Sequence, residues 1–148
     1  MALSRRAAVP ADLATRARGL ARGWRLLVLL EDWCGDAVNI VPVIADLVRQ
    51  APNLEMRVVR RDEHLELMDS HLTGTSRAIP VVILLDDQFN ERAWWGPRPA
   101  ELQRWVTGQA RDLPKDVRYR EVRRWYAQDR GASTVRELLD RIDIAAAA

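Results

Sequence analysis

The apolar residues of the chain recur with two periods, which divide it into helices and strands. A first helix is predicted near Pro10, where residues at helical spacing form one face: Leu13, Ala17, Leu20 and Trp24. Further helical faces follow Cys34, occupy 62–72, begin at Pro99 and fill the C-terminal part of the chain. Short apolar runs predict four strands, at 25–31, 54–60, 80–86 and 91–95.

The order of these elements predicts an α/β fold. Strands that are linked through helices are expected to be parallel, with right-handed crossovers. The strands at 80–86 and 91–95 are close enough in sequence to form an antiparallel hairpin. The pattern therefore predicts a mixed sheet of four or five strands, sandwiched by helices and followed by a helical extension.

Chain length and the C-terminal pattern predict the domain organisation. The 148 residues suit one domain, with residues 1–111 as its core and 112–148 as a two-helix extension. One stripe of the extension comprises Tyr119, Val122, Trp125 and Tyr126, and the other comprises Val135, Leu138, Leu139 and Ile142. Thr134 and Glu137 have the spacing of a capping box. Because both stripes are strongly apolar, we expect the extension to pack back onto the domain.

Composition excludes several classes of protein. Hydrophobic residues make up 48% of the chain and the net charge is only +2, with acidic residues interspersed among the arginines. We therefore expect neither nucleic acid nor a membrane as partner. One cysteine cannot form an internal disulfide, which excludes a disulfide-stapled scaffold, and a cytoplasmic location is expected. His64 and His71 are interpreted as surface residues, and no metal site is predicted.

The single cysteine, Cys34, lies where the second helix begins. A sulfur at a helix N-terminus faces free backbone N–H groups and the positive end of the helix dipole, which stabilise a thiolate. The sequence therefore predicts a solvent-accessible thiol with a lowered pKa.

Three short segments carry a resemblance to a known family. "EDWCGDAVNIVP" places a proline, Pro42, eight residues after Cys34, "SRAIPV" opens the third strand, and "WGPRP" ends the fourth. Together these segments resemble the thioredoxin-like family, and in particular a bacterial subgroup with a W-C-G-D-C motif. The resemblance implies a thioredoxin fold and a cis bond between Ile79 and Pro80, lying beside Cys34 as a docking site for substrate.

The sequence departs from the family pattern within the motif itself, which here comprises Trp33, Cys34, Gly35, Asp36 and Ala37. Ala37 replaces the second cysteine, which in a dithiol enzyme releases the mixed disulfide, and Asp36 replaces proline. Val28 stands where thioredoxins have a buried acid. The acidic side chains around Cys34 oppose a thiolate, and Arg77 is the candidate partner that would offset them.

Two functions remain open on this reading. The first is a monothiol redox protein, a thiol-disulfide oxidoreductase in which Cys34 forms mixed disulfides that an external thiol resolves. Its partners would be protein or low-molecular-weight thiols and disulfides, with glutathione as candidate co-substrate and no other cofactor. The second is a non-catalytic module that binds an extended peptide beside Pro80, with Cys34 as a relic. The oligomeric state is left open.

Overall fold

Helices and strands follow the two apolar periods in the computed structural model, which describes residues 8–148. The six helices, α1 to α6, span Ala11–Arg18, Gly35–Gln50, Leu65–Asp69, Ala100–Thr107, Lys115–Asp129 and Ala132–Ala147. The four strands, β1 to β4, span Trp24–Leu30, Leu54–Arg60, Val81–Leu85 and Glu91–Trp95. The first seven residues of the predicted domain lie outside the described residues.

The strands form a mixed sheet in the order β2-β1-β3-β4, which confirms the predicted α/β class. β1 pairs in parallel with β2 and antiparallel with β3, and β3 and β4 form the expected antiparallel hairpin. The prediction that helix-linked strands are parallel therefore holds for β2 and is wrong for β3. The helix between β2 and β3, α3, has only five residues, so this connection lacks the long crossover helix that usually links parallel strands.

Two predicted helices are shorter than their apolar patterns indicated. α1 ends at Arg18, and Trp24 opens β1, where its N–H donates to the Asn53 carbonyl at 3.0 Å. Trp24 is buried as a strand residue. Its apolar side chain therefore belongs to the core of the sheet, and its spacing from Leu20 matched the helix face only by coincidence. The segment 62–72 contains only a short 3₁₀ turn, Arg61–Glu63, and α3.

The buried apolar residues of the sheet and its helices form two clusters. The larger cluster includes buried residues from α1, α2 and β1, and α6 contributes Val135, Leu138, Leu139 and Ile142 to it. The smaller cluster comprises Leu29, Cys34, Ala37, Met68, Ile79, Val81 and Ile83. The sulfur of the W-C-G-D motif is thus part of a hydrophobic cluster rather than a surface group.

Helix α6 is joined to the domain by Glu137. Its carboxylate accepts hydrogen bonds from the Trp95 indole N–H at 2.9 Å and from the Ala100 N–H at 3.0 Å. The predicted capping box is wrong, because α6 begins after Gly131 and Thr134 already lies within its first turn. Among residues 8–148, no helix is long and apolar enough to cross a membrane.

Candidate functional site

Cys34 is the N-cap residue of α2 and touches the loop that precedes β3. A turn after β1 sets its position, because the Cys34 N–H donates to the Glu31 carbonyl at 3.1 Å. The Cys34 thiol donates to the Ile79 carbonyl, with Sγ and O 3.4 Å apart, and the Ile79–Pro80 peptide bond is cis. The fold thus brings the W-C-G-D motif together with Ile79 and Pro80, 45 residues along the chain.

The thiol is buried, which contradicts the predicted solvent-accessible sulfur. Cys34 is 6% exposed and belongs to the same apolar cluster as Ala37, Met68 and Ile79. The motif alone could not reveal this, because Met68 of α3 and Ile79 of the loop before β3, which belong to the same cluster, are distant in sequence.

The pKa of the Cys34 thiol is raised, not lowered as the helix position predicted. Burial is the largest cause, since the thiolate loses its hydration in the apolar cluster, and the negative charge of Asp36 adds to it. Hydrogen bonds from the Ala37 and Asp36 N–H groups, together with the charge of Arg98, act in the opposite direction. The helix N-terminus therefore favours the thiolate as expected, but burial outweighs it.

Asp36 is the centre of a polar network that joins three elements. Arg98 binds the carboxylate with two nitrogens, Nε to Oδ1 at 3.0 Å and Nη2 to Oδ2 at 3.0 Å. The Tyr126 hydroxyl donates to Oδ1 at 2.9 Å. Burial and the neighbouring carboxylate raise the pKa of Tyr126, so the hydroxyl stays protonated as a donor. Asp36 thereby links α2 to the segment after β4 and to α5.

Arg77, the predicted thiolate partner, pairs with Asp69 instead of with Cys34. Its guanidinium pairs with Asp69 through two contacts, Nε to Oδ1 at 2.8 Å and Nη2 to Oδ2 at 3.0 Å. Arg98 is the arginine whose charge lowers the pKa of Cys34. The sequence could not distinguish the two, because Arg77 is adjacent to the Ile–Pro pair whereas Arg98 reaches the site only through folding.

A groove of about 730 Å³ runs over the N-terminus of α2. Trp33 lines it and is 68% exposed, with the Arg61 guanidinium 5.0 Å from its ring centre. The loop before β3 contributes Arg77, Ala78 and Ile79. The opposite wall is built by α4 and α5, through Val106, Arg118, Tyr119, Val122 and Arg123. The C-terminal extension therefore forms part of the site.

Sequence reasoning missed the residues that α5 and the segment after β4 bring to this site. "WGPRP" was recognised as a motif, yet its Arg98 received no role. The arginines of α5 likewise received no role, whereas Arg118 and Arg123 line the groove together with Tyr119. At a helical step of ~100° per residue, Arg118 falls between Trp125 and Val122, and Arg123 lies just beyond Tyr119. This signal was available in the sequence.

His71 differs from its predicted surface position. It is 3% exposed, its Nδ1 lies 2.8 Å from the Leu67 carbonyl, and its Nε2 lies 2.8 Å from a Glu91 carboxylate oxygen. These contacts explain its burial as a link between α3 and β4. Within residues 8–148, no three His, Cys, Asp or Glu side chains converge as a metal site.

Comparisons with known proteins give a consistent result. A family model described as Thioredoxin matches residues 1–117. A solved structure of a protein of unknown function from Pseudomonas aeruginosa superposes with a TM-score of 0.75 at 22% identity, covering 97% of this chain and 83% of that one. An HIV epitope-scaffold superposes with a TM-score of 0.71 at 22% identity, covering 96% and 82%. No curated protein matches. At these identities the structures support the fold alone.

Proposed function

Since the chain belongs to the thioredoxin family, we propose that it is a non-catalytic thioredoxin-fold module that binds an extended peptide in the groove beside Ile79 and Pro80. The observation that carries this proposal is the state of the thiol. The Cys34 thiol is buried, donates a hydrogen bond to the Ile79 carbonyl and has a raised pKa. Ala37 stands where a second thiol would be. The groove beside it is lined by aromatic and apolar side chains, among them Trp33, Ile79 and Val122, and by arginines. This reverses the order of the two hypotheses that the sequence left open.

The loop before β3 has the backbone groups that an extended peptide needs. Within the described part of the chain, the Ile79 N–H donates to no other group, and the Ile79 carbonyl accepts only the thiol. Peptides commonly add to free backbone edges of this kind, with side chains seated in flanking pockets. Trp33, which is exposed and lines the same groove, supplies an aromatic anchor of the type enriched at binding sites.

A groove-filling substitution tests this module. Gly35 lines the groove, and a Cβ placed on it meets no atom within 4 Å. Gly35→Trp therefore places an indole at the groove, and Gly35→Ala is the matched control. Nine-residue peptides selected from a random displayed library against the wild type should lose binding to Gly35→Trp. They should keep it with Gly35→Ala and with Cys34→Ser. Failure to select any peptide, or equal binding to Gly35→Trp, would refute the module.

The monothiol redox reading is the second candidate, and one observation favours it. Sγ lies at the start of α2, within reach of the Asp36 and Ala37 N–H groups, and lines the groove. In this reaction the Cys34 thiolate attacks one sulfur of oxidised glutathione. A disulfide forms between Cys34 and that glutathione as the original S–S bond breaks, and the other glutathione leaves as a thiolate. A second external thiol then reverses the exchange, since Ala37 cannot.

Mass spectrometry distinguishes the two candidates. A redox protein takes up one glutathione per chain from oxidised glutathione while still folded, and dithiothreitol removes it. Ala37→Cys would then gain insulin reductase activity, although not fully, because Val28 leaves the family's buried acid absent. We expect the folded wild type to take up glutathione no faster than an unfolded cysteine peptide. Faster uptake would restore the redox reading.

A further inference from the structure

The charges that line the groove identify the class of peptide that it binds. We propose that the groove selects extended peptides in which acidic residues flank an apolar residue, with Arg118 and Arg123 of α5 as the charge-reading pair. This inference rests on the proposed module and names its partner.

The groove carries an excess of positive charge at defined positions. Five arginines and one aspartate line it: Arg61, Arg77, Arg98, Arg118, Arg123 and Asp36. Three of these arginines already have carboxylate partners, in Asp62, Asp69 and Asp36. In contrast, no carboxylate within residues 8–148 forms an ion pair with Arg118 or Arg123. Two guanidinium groups therefore face the groove with no charge to balance them.

The arrangement of this pair on α5 defines what lies between the two charges. At a helical step of ~100° per residue, the residues of α5 that line the groove follow one another around the helix in the order Arg118, Val122, Tyr119, Arg123. The two cations thus stand at the edges of an apolar strip, and Trp33 and Ile79 line the same groove. A ligand with an apolar side chain between two carboxylates matches this pattern, and guanidinium groups bind carboxylates through two parallel hydrogen bonds.

The same features favour a peptide over nucleic acid. A strand of nucleic acid needs a track of cations along its backbone, whereas the other arginines of the groove are neutralised by their own aspartates. On the remaining face of α5, Glu121 lies between Arg120 and Arg124 and contacts both. In the first turn of the helix Lys115 adds one cation, with its Nζ 5.4 Å from the centre of the Tyr119 ring. The positive charge of the strip therefore lies at separate positions and not along a continuous track.

Three peptides of one length test the charge preference. The first alternates glutamate with valine and phenylalanine, the second has glutamine in place of every glutamate, and the third has lysine. Fluorescence anisotropy with labelled peptides at low salt should give the acidic peptide about tenfold tighter binding than the glutamine peptide, as expected for two solvent-facing ion pairs. The lysine peptide should bind most weakly, and the preference should shrink in higher salt.

A pair of double variants assigns the preference to these residues. Arg118→Gln with Arg123→Gln should bring the acidic and glutamine peptides within about twofold of each other. Arg120→Gln with Arg124→Gln removes the same charge from the same helix, outside the groove, and should keep most of the tenfold difference. Equal effects of the two double variants would overturn the assignment and leave only a general attraction between charges.

The remaining outcomes separate this inference from the proposed function. If the wild type binds the acidic and glutamine peptides equally and Gly35→Trp abolishes both, the module stands and the charge preference is wrong. If it binds neither peptide, and library selection also fails, both are wrong. If a labelled oligothymidylate binds more tightly than the acidic peptide, the groove is a nucleic-acid site and the peptide proposal is overturned.

Discussion

Cys34 combines two opposing influences on one sulfur. The start of α2 directs backbone N–H groups toward it, as in redox-active members of its family, yet the surrounding side chains exclude the water that a thiolate needs. Asp36, at the position of the family's proline, adds a negative charge, and the charge of Arg98 acts against it. The pKa of the thiol thus depends on its burial and on Arg98, which the motif does not reveal, as well as on Asp36 and Ala37 within the motif.

The first prediction concerns the pH at which Cys34 reacts. Alkylation of the folded wild type should show a midpoint above the free-cysteine pKa of ~8.5, because burial raises the pKa. Arg98→Gln should move the midpoint higher, since it removes the charge that lowers the pKa. Asp36→Asn should move it lower. Rates measured by mass spectrometry across pH check all three proteins, and a wild-type midpoint well below 8.5 would contradict the proposed order of functions.

The same pKa shift has a consequence for stability. Since the folded thiol holds its proton more tightly than the unfolded one, its contribution to folding is present below ~8.5 and is lost as pH rises toward the folded pKa. The difference in unfolding free energy between the wild type and Cys34→Ala should therefore shrink with rising pH above that value. A difference that stays constant would indicate that the pKa of Cys34 is the same in the folded and unfolded states.

At the scale of elements, α5 matters most, because it supplies one wall of the groove and is held there by a buried hydrogen bond. Tyr126 is the only buried residue of α5, and its hydroxyl donates a hydrogen bond to Asp36. Trp125 packs edge-on against it, with ring centres 5.6 Å apart. The position of the groove wall therefore depends on a side chain that lies beyond the residues matched by the family model.

Removal of the Tyr126 hydroxyl should loosen α5. Tyr126→Phe deletes a hydrogen bond to a charged acceptor, a change that costs about 1.5–3 kcal/mol of unfolding free energy. Hydrogen exchange should speed up along α5, and Cys34 should alkylate faster. Tyr119→Phe is the control, because Tyr119 is half-exposed, and it should change stability by less than ~0.5 kcal/mol. Equal effects of the two substitutions would show that the Asp36 bond does not hold α5.

The turn between α5 and α6 depends on a glycine. Gly131 has a φ of +78°, and a Cβ there would lie 2.6 Å from two methyl carbons of Val43. Gly131→Ala should therefore lose about 1–3 kcal/mol from the backbone conformation, with a further loss from displacement of α2. Gly74→Ala isolates the first effect, since Gly74 has a φ of +62° and no atom within 4 Å of the added carbon. Denaturant unfolding should rank Gly131→Ala as the less stable variant.

At the scale of the whole molecule, α6 belongs to the core. It packs against α1, α2 and β4, and Arg16 of α1 pairs with both Asp140 and Asp143. Four of its apolar residues are almost fully buried in the larger cluster: Val135, Leu138, Leu139 and Ile142. The compact unit therefore extends well past the residues that match the family model.

Truncation after residue 117 should abolish stable folding. Each large apolar side chain lost from α6 removes about 1.5–3 kcal/mol, and several together approach the 5–15 kcal/mol that typically stabilises a domain. Circular dichroism and thermal melting of the 1–117 fragment should show a lost cooperative transition or aggregation. A milder variant, Leu139→Ala, should remain folded with about 2–5 kcal/mol less stability. A soluble fragment that melts like the full chain would contradict this account.

The sequence by itself determined the features that depend on neighbouring residues. The bounds of β2 and β4 follow from their apolar runs, and the order of elements with three short motifs identified the family and the α/β class. These features were predictable because propensity, periodicity and turn chemistry act over a few residues. At Trp24 the same local pattern fitted both a helix and a strand, and the predicted helix was wrong there.

Only the tertiary structure decided the chemistry of the site. Cys34 contacts Ile79, and Arg98 places a positive charge near the thiol by binding Asp36. Tyr126 holds α5 as a wall of the groove through a hydrogen bond to Asp36, 90 positions away. Likewise His71 is buried because Glu91 of β4 meets its ring. Contacts of this range depend on how elements pack, and a pKa responds to every charge and apolar group so assembled. For that reason the motif located the thiol correctly, whereas its accessibility, its protonation and its arginine partner came from the fold.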